Sequence, residues 1–113
     1  MCSQNEVYDI VARLRDNLTV LFPNDELELI LYGSYARNEA QEGSDIDVMV
    51  LVDASRQEIA ERNWQVGEVA SDLLMDCGVV VSPIVENRDY FHANAQLLPF
   101  FRNVQREGVA ISA

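Results

Sequence analysis

Two aspartates, Asp45 and Asp47, stand inside the run "DIDVMVLV" at residues 45–52, and the pair Gly33-Ser34 precedes them with ten residues between. Side chains alternate between the faces of a strand, so residues two apart project together. Asp45 and Asp47 would therefore share one face, with Ile46, Val48 and Val50 on the other. Two carboxylates held this close repel each other strongly near a partly buried surface. A divalent cation offsets that repulsion, because hard carboxylate oxygens suit Mg²⁺ or Mn²⁺. Taken alone, an Asp-x-Asp is more often two solvated acids at the start of a strand. Gly33-Ser34 changes the reading. Free backbone N–H groups where a strand gives way to a helical turn form an anion site. Glycine lets a phosphate come close, and the serine hydroxyl and N–H can donate to it. A phosphate cradle and a metal-binding acid pair are the two halves of a metal–nucleotide site.

Positioning them requires a strand before each. "LELILY", residues 27–32, reads as a strand ending at Gly33, and Ser34 as the N-cap of a short turn through Arg37. "NEAQEGS" is a polar loop, and residues 45–52 form the second strand. Upstream, Val7, Ile10, Val11, Leu14, Leu18 and Leu21 recur at three- and four-residue steps, which predicts a helix over residues 5–21. Downstream, Asp53 or Ser55 caps a helix reaching about residue 75, with Ile59, Val66, Val69, Leu73 and Leu74 inward. Gly78 would end it with a left-handed cap. "VVVSPIV" at residues 79–85 is a third strand whose Pro83 demands an edge or an early end. Asn87 caps a short helix, Pro99 opens another that Gly108 closes, and "VAIS" returns as a short strand. This order predicts an α/β or α+β fold: a small mixed sheet, helices mainly on one face, the other face free to hold a site.

Composition narrows the function. The 113 residues suit a single domain, residues 1–113, and 49% hydrophobic content supports a real core. The net charge is -11, and all eight basic residues are arginine. Counterion-release binding to nucleic acid needs a basic face, so direct nucleic-acid binding is not expected. Excess acid aids solubility and would also suit a basic protein partner. Cys2 and Cys77 are too few for a disulfide framework and read as free thiols. No apolar run spans a membrane, and the N-terminus does not read as a signal peptide, so the expected location is cytoplasmic.

"GSYAR" followed by "GSDIDVMV" resembles the minimal nucleotidyltransferases of the DNA polymerase β-like superfamily. Their pattern is Gly-Ser, ten residues, then Asp-x-Asp; Ala36-Arg37 and Ser44 also match its commoner wording. The resemblance is firm over residues 31–52. It implies that Asp45 and Asp47 are catalytic and hold Mg²⁺ (or Mn²⁺) bound to ATP or another nucleoside triphosphate. Gly33 and Ser34 would hold the outer phosphates, with Arg37 and Ser44 also in the nucleotide site. Arg37 could instead pair with Glu39 or Glu42, and Ser44 could serve to cap the loop and orient Asp45. Domains of this kind commonly stand beside an all-helical HEPN-class ribonuclease and act as its antitoxin, by binding it or by transferring AMP to its tyrosine. The resemblance thus implies an antitoxin of such a pair, in a hetero-oligomer or homo-oligomer.

One part of the pattern is not met. Active members carry a third carboxylate on a neighbouring strand, and "VVVSPIV" has none. Ser82 holds the approximate place; Glu86 and, more distantly, Glu28 are the remaining candidates. Two further readings follow: an inactive nucleotidyltransferase fold that neutralises its partner by contact alone, and a small-molecule nucleotidyltransferase. The lone His92 has no triad around it, and Cys77 reads as a helix-end residue. Trp64 is either core or an anchor for a partner, while Phe100 and Phe101 cannot easily both be buried on one helix.

Overall fold

A computed structural model describes residues 2–111. Helix α1 (Gln4–Leu21) starts with a capping box: Ser3 Oγ accepts from the Glu6 N–H, and the Glu6 carboxylate accepts from the Ser3 N–H. Its buried stripe is Val7, Ile10, Val11, Leu14 and Leu18. Strands β1 (Glu28–Tyr32) and β2 (Ile46–Val52) pair antiparallel, with Tyr32 opposite Asp47. Helix α2 (Arg56–Cys77) is capped by Ser55 and ends at Gly78, whose φ of 71° gives the left-handed cap. Strand β3 (Val81–Asn87) lies parallel to β2, with Ser82 opposite Asp47. Asn87 caps α3 (Arg88–Asn94), Pro99 opens α4 (Pro99–Glu107), and β4 (Val109–Ile111) pairs antiparallel with β1. The sheet order is β3-β2-β1-β4, an α+β fold with a mixed sheet.

The two long helices take one face. There Ile46, Val48, Val50 and Val52 pack against the α1 stripe and against Ile59, Val66 and Leu73 of α2. The opposite face is not bare. Met49 and Leu51, on the same side as Asp47, meet Phe91 of α3 and Phe101 and Val104 of α4. A central strand that is apolar on both sides must be covered on both sides, so the two short helices close the face expected to be open. The acids then emerge where that cover stops, at the end of the sheet.

Several local expectations shift by a residue or two. Asp45 precedes β2, and β3 begins later than expected but continues through Pro83 to Asn87. Pro83 is tolerated because β3 is an edge strand. Leu74 is 44% exposed, outside the inner face assigned to it, and Trp64 is exposed rather than core. Phe101 is buried and Phe100 is on the outside, edge-on to Tyr32 at 5.6 Å. Among the described residues no helix is long and apolar enough to cross a membrane.

Candidate active site

The turn after β1 is built by its backbone. Gly33 has a φ of 77°, and its C=O accepts from the Arg37 N–H at 3.0 Å, while the Ser34 C=O accepts from the Glu39 N–H at 2.9 Å. The helical turn therefore begins on the Gly33 carbonyl. The glycine is demanded twice over. Its φ lies in the left-handed region, and a Cβ there would overlap Asp47 Oδ2. The bare Cα of the cradle thus lies against the second aspartate. Gly33 and Asp47, fourteen residues apart in the chain, become neighbours because Tyr32 and Asp47 are partners across the β1–β2 ladder.

Asp47 is half-buried and Asp45 exposed. Burial, and next the charge of Asp45, push the Asp47 carboxyl above the ordinary aspartate range; the Arg37 guanidinium pulls the other way. The influence of Asp45 on Asp47 is what two neighbouring carboxylates should show. The donor set fits a hard divalent cation: two carboxylates, with the remaining positions left to substrate phosphate and water. Among the described residues no group of three or more potential ligands forms. A raised folded pKa means the ionised form is disfavoured by folding. Without metal, Asp47 contributes stability below its unfolded pKa and loses it as pH rises through the higher folded value. We expect the metal-free melting temperature of the wild type to fall relative to Asp47→Asn as pH rises above about 4, the ordinary aspartate range. Equal pH profiles for the two proteins would contradict this.

An acid that the sequence did not single out lies at the cradle, not in a ligand group with the two aspartates. Glu107, the last residue of α4, accepts from the Gly33 N–H at 3.1 Å and from Arg37 Nη1 at 3.2 Å through each carboxylate oxygen. Arg37 Nε also donates to Glu39 at 3.2 Å, so the Glu39 pairing is realised while the guanidinium stays in the site. Tyr32 completes the cluster. Burial first, then the charges of Asp47 and Glu107, push its hydroxyl up to about 12, so it stays protonated.

The other candidates lie elsewhere. Ser82 faces the site beside Asp47. Glu86 does not: it is opposite Leu51, four residues further along β3, which is about 13 Å away along the strand. Its nearly buried carboxylate accepts from Arg56 Nε at 3.2 Å and the Asn87 N–H at 2.8 Å, and Arg56 stacks on Tyr90. Glu28 is also opposite Leu51 and lies near Arg88. Neither is the missing third acid. Ser44 closes its loop, accepting from the Gln41 N–H at 2.8 Å. His92 lines a cavity with Glu28 and Arg88, at the far end of the sheet from Gly33. Sequence reading missed Glu107 and Tyr32. The only signal for Glu107 was its place just before Gly108.

The nucleotidyltransferase domain model matches residues 11–102. Three proteins of Methanocaldococcus jannaschii, each bearing the provisional name protein adenylyltransferase, are similar to this chain. MJ0604 is 35% identical over 81 residues, 72% of this chain and 73% of its own length. MJ0141 is 26% identical over 80 residues, 71% of this chain and 79% of its own. MJ1305 is 35% identical over 69 residues, 60% of this chain and 47% of its own. The match runs through Gly33-Ser34, both aspartates and Ser82, and the geometry brings Gly33 against Asp47. On both grounds this chain belongs to the nucleotidyltransferase domain family, as a transferase of the minimal type.

Proposed function

We propose that this protein transfers AMP from ATP, with Mg²⁺, to a hydroxyl of a partner protein. The acceptor is a tyrosine of a helical HEPN-class ribonuclease encoded beside it, and the protein acts as that ribonuclease's antitoxin. The observation that carries the transfer is the contact of the Gly33 backbone with Asp47 across β1 and β2. A protein acceptor is supported by the names of the relatives; the HEPN partner rests on the family resemblance.

Gly33, Ser34 and Arg37 hold the outer phosphates, and Asp45 and Asp47 hold the cation. The attacking hydroxyl forms the new bond to the α-phosphorus as the bond to pyrophosphate breaks, and its proton leaves to solvent, since Ser82 offers no carboxylate base. The cation, when bound, stabilises the charge developing on the phosphoryl oxygens. Tyr32 stays a neutral donor at the edge of the site. Incubation with labelled ATP, Mg²⁺ and the protein encoded next to it tests the proposal. Label should appear on the partner and disappear with Asp45→Ala and Asp47→Ala. An unlabelled partner that is still inhibited by both variants would refute the transfer.

Ser82 favours a second reading, neutralisation by contact alone. It stands opposite Asp47, where the third carboxylate of active members would be expected, and it cannot serve as a carboxylate base. Ser82→Asp separates the two. If only the base is lacking, transfer should rise by on the order of a hundredfold, the lower end of general-base effects. No labelling by wild type or Ser82→Asp would support the contact reading.

A further inference from the structure

Glu107 occupies the donors that a phosphate needs. The Gly33 N–H and the Arg37 guanidinium are the cradle's backbone and side-chain donors, and both point at its carboxylate at 3.1–3.2 Å. A carboxylate with two oxygens on a backbone N–H and a guanidinium resembles two oxygens of a phosphate. Its position is set by the junction behind it. A Cβ on Gly108 would overlap the Val104 carbonyl and Ile30, and Val109 pairs with Leu31 of β1. The end of α4 is thereby held against β1 beside the cradle. An acid placed only to steady Arg37 would not need the Gly33 N–H as well.

We propose that Glu107 is a latch: its carboxylate fills the phosphate cradle of the free protein, and an incoming triphosphate must displace it. This rests on the nucleotide reading of the site. The two anions cannot share the Gly33 N–H and Arg37, so binding occurs only from the unlatched fraction. Apparent affinity is reduced by that fraction. Removing the charge at residue 107 removes the competition.

The test compares wild type, Glu107→Gln and Asp47→Ala with two probes: a fluorescent ATP analogue with Mg²⁺, and inorganic tripolyphosphate without metal. Glu107→Gln should bind both more tightly, by on the order of tenfold. The amide resonance of Gly33 should move in Glu107→Gln before any ligand is added, and in wild type when tripolyphosphate binds. Equal or weaker binding of tripolyphosphate by Glu107→Gln overturns the latch, as does an unmoved Gly33 resonance. Tighter tripolyphosphate binding with weaker Mg²⁺–nucleotide binding also overturns it, because it makes Glu107 a partner of the aspartates in holding the cation. If Asp47→Ala binds the Mg²⁺–nucleotide as wild type does, the nucleotide site fails on its own terms, while tripolyphosphate and the Gly33 resonance still decide the latch.

Discussion

Asp47→Asn is expected to lower nucleotide transfer by on the order of a thousandfold while leaving the fold intact. The substitution keeps the size of the side chain and removes the charge that offsets a divalent cation. Folding should not suffer, because the ionised form of Asp47 is the disfavoured one: burial and Asp45 both raise its pKa. The melting temperature without metal should equal or exceed that of wild type at neutral pH. Ligand response should differ. At a hundred times its dissociation constant a ligand adds about 2.7 kcal/mol to stability, a rise of roughly ten degrees for a domain of this size. Wild type with Mg²⁺ and ATP should show that rise, and Asp47→Asn should lose most of it. Melting curves with and without both ligands, beside label transfer, read the two effects. Undiminished transfer by Asp47→Asn would remove Asp47 from the chemistry.

Gly33→Ala should damage the site and the fold together. A left-handed backbone costs an L-residue roughly 1–2 kcal/mol, and Gly33 has a φ of 77°. The new methyl would also lie on Asp47 Oδ2, so the carboxylate must turn away or the β1–β2 ladder must open there. A displacement of about 1 Å in a positioned group costs on the order of a hundredfold in rate. Gly43→Ala is the control. Gly43 has a φ of 85°, yet a Cβ there meets nothing within 4 Å. Gly43→Ala should therefore lose stability through backbone strain alone and retain far more transfer than Gly33→Ala. Similar transfer by the two variants would show that contact between Gly33 and Asp47 is not what the site depends on.

Both effects concern residues that the sequence already made legible. Gly33 and Asp47 belong to a short pattern in which strand alternation fixes the face and glycine marks the close approach. The helix caps at Ser55 and Asn87 and the left-handed end at Gly78 were local too, since each depends on a side chain and the backbone within a few residues. Glu86 shows where such reasoning stops. It has the parity of Ser82, and parity chose the right face. Its level along the sheet depends on the parallel register of β3 against β2, which puts Ser82 beside Asp47 and Glu86 beside Leu51. No local pattern specifies that register.

Glu107 is further still from what a linear reading can reach. It is 74 residues from Gly33, and nothing in "PFFRNVQRE" shows which polar residue of that helix meets the cradle. The packing of Phe101 and Val104 on Met49 and Leu51 decides it by setting the rotation of α4, and β4 pins the end of the helix to β1. From the sequence alone came the element order, the mixed sheet, the acid pair and the cradle, because periodicities, caps and the Gly-Ser to Asp-x-Asp spacing are short-range properties of the chain. The tertiary structure alone decided which anion occupies the cradle, that Glu86 lies at Leu51 and away from Asp47, and that both sheet faces are covered, because these follow from side chains meeting across elements far apart in sequence.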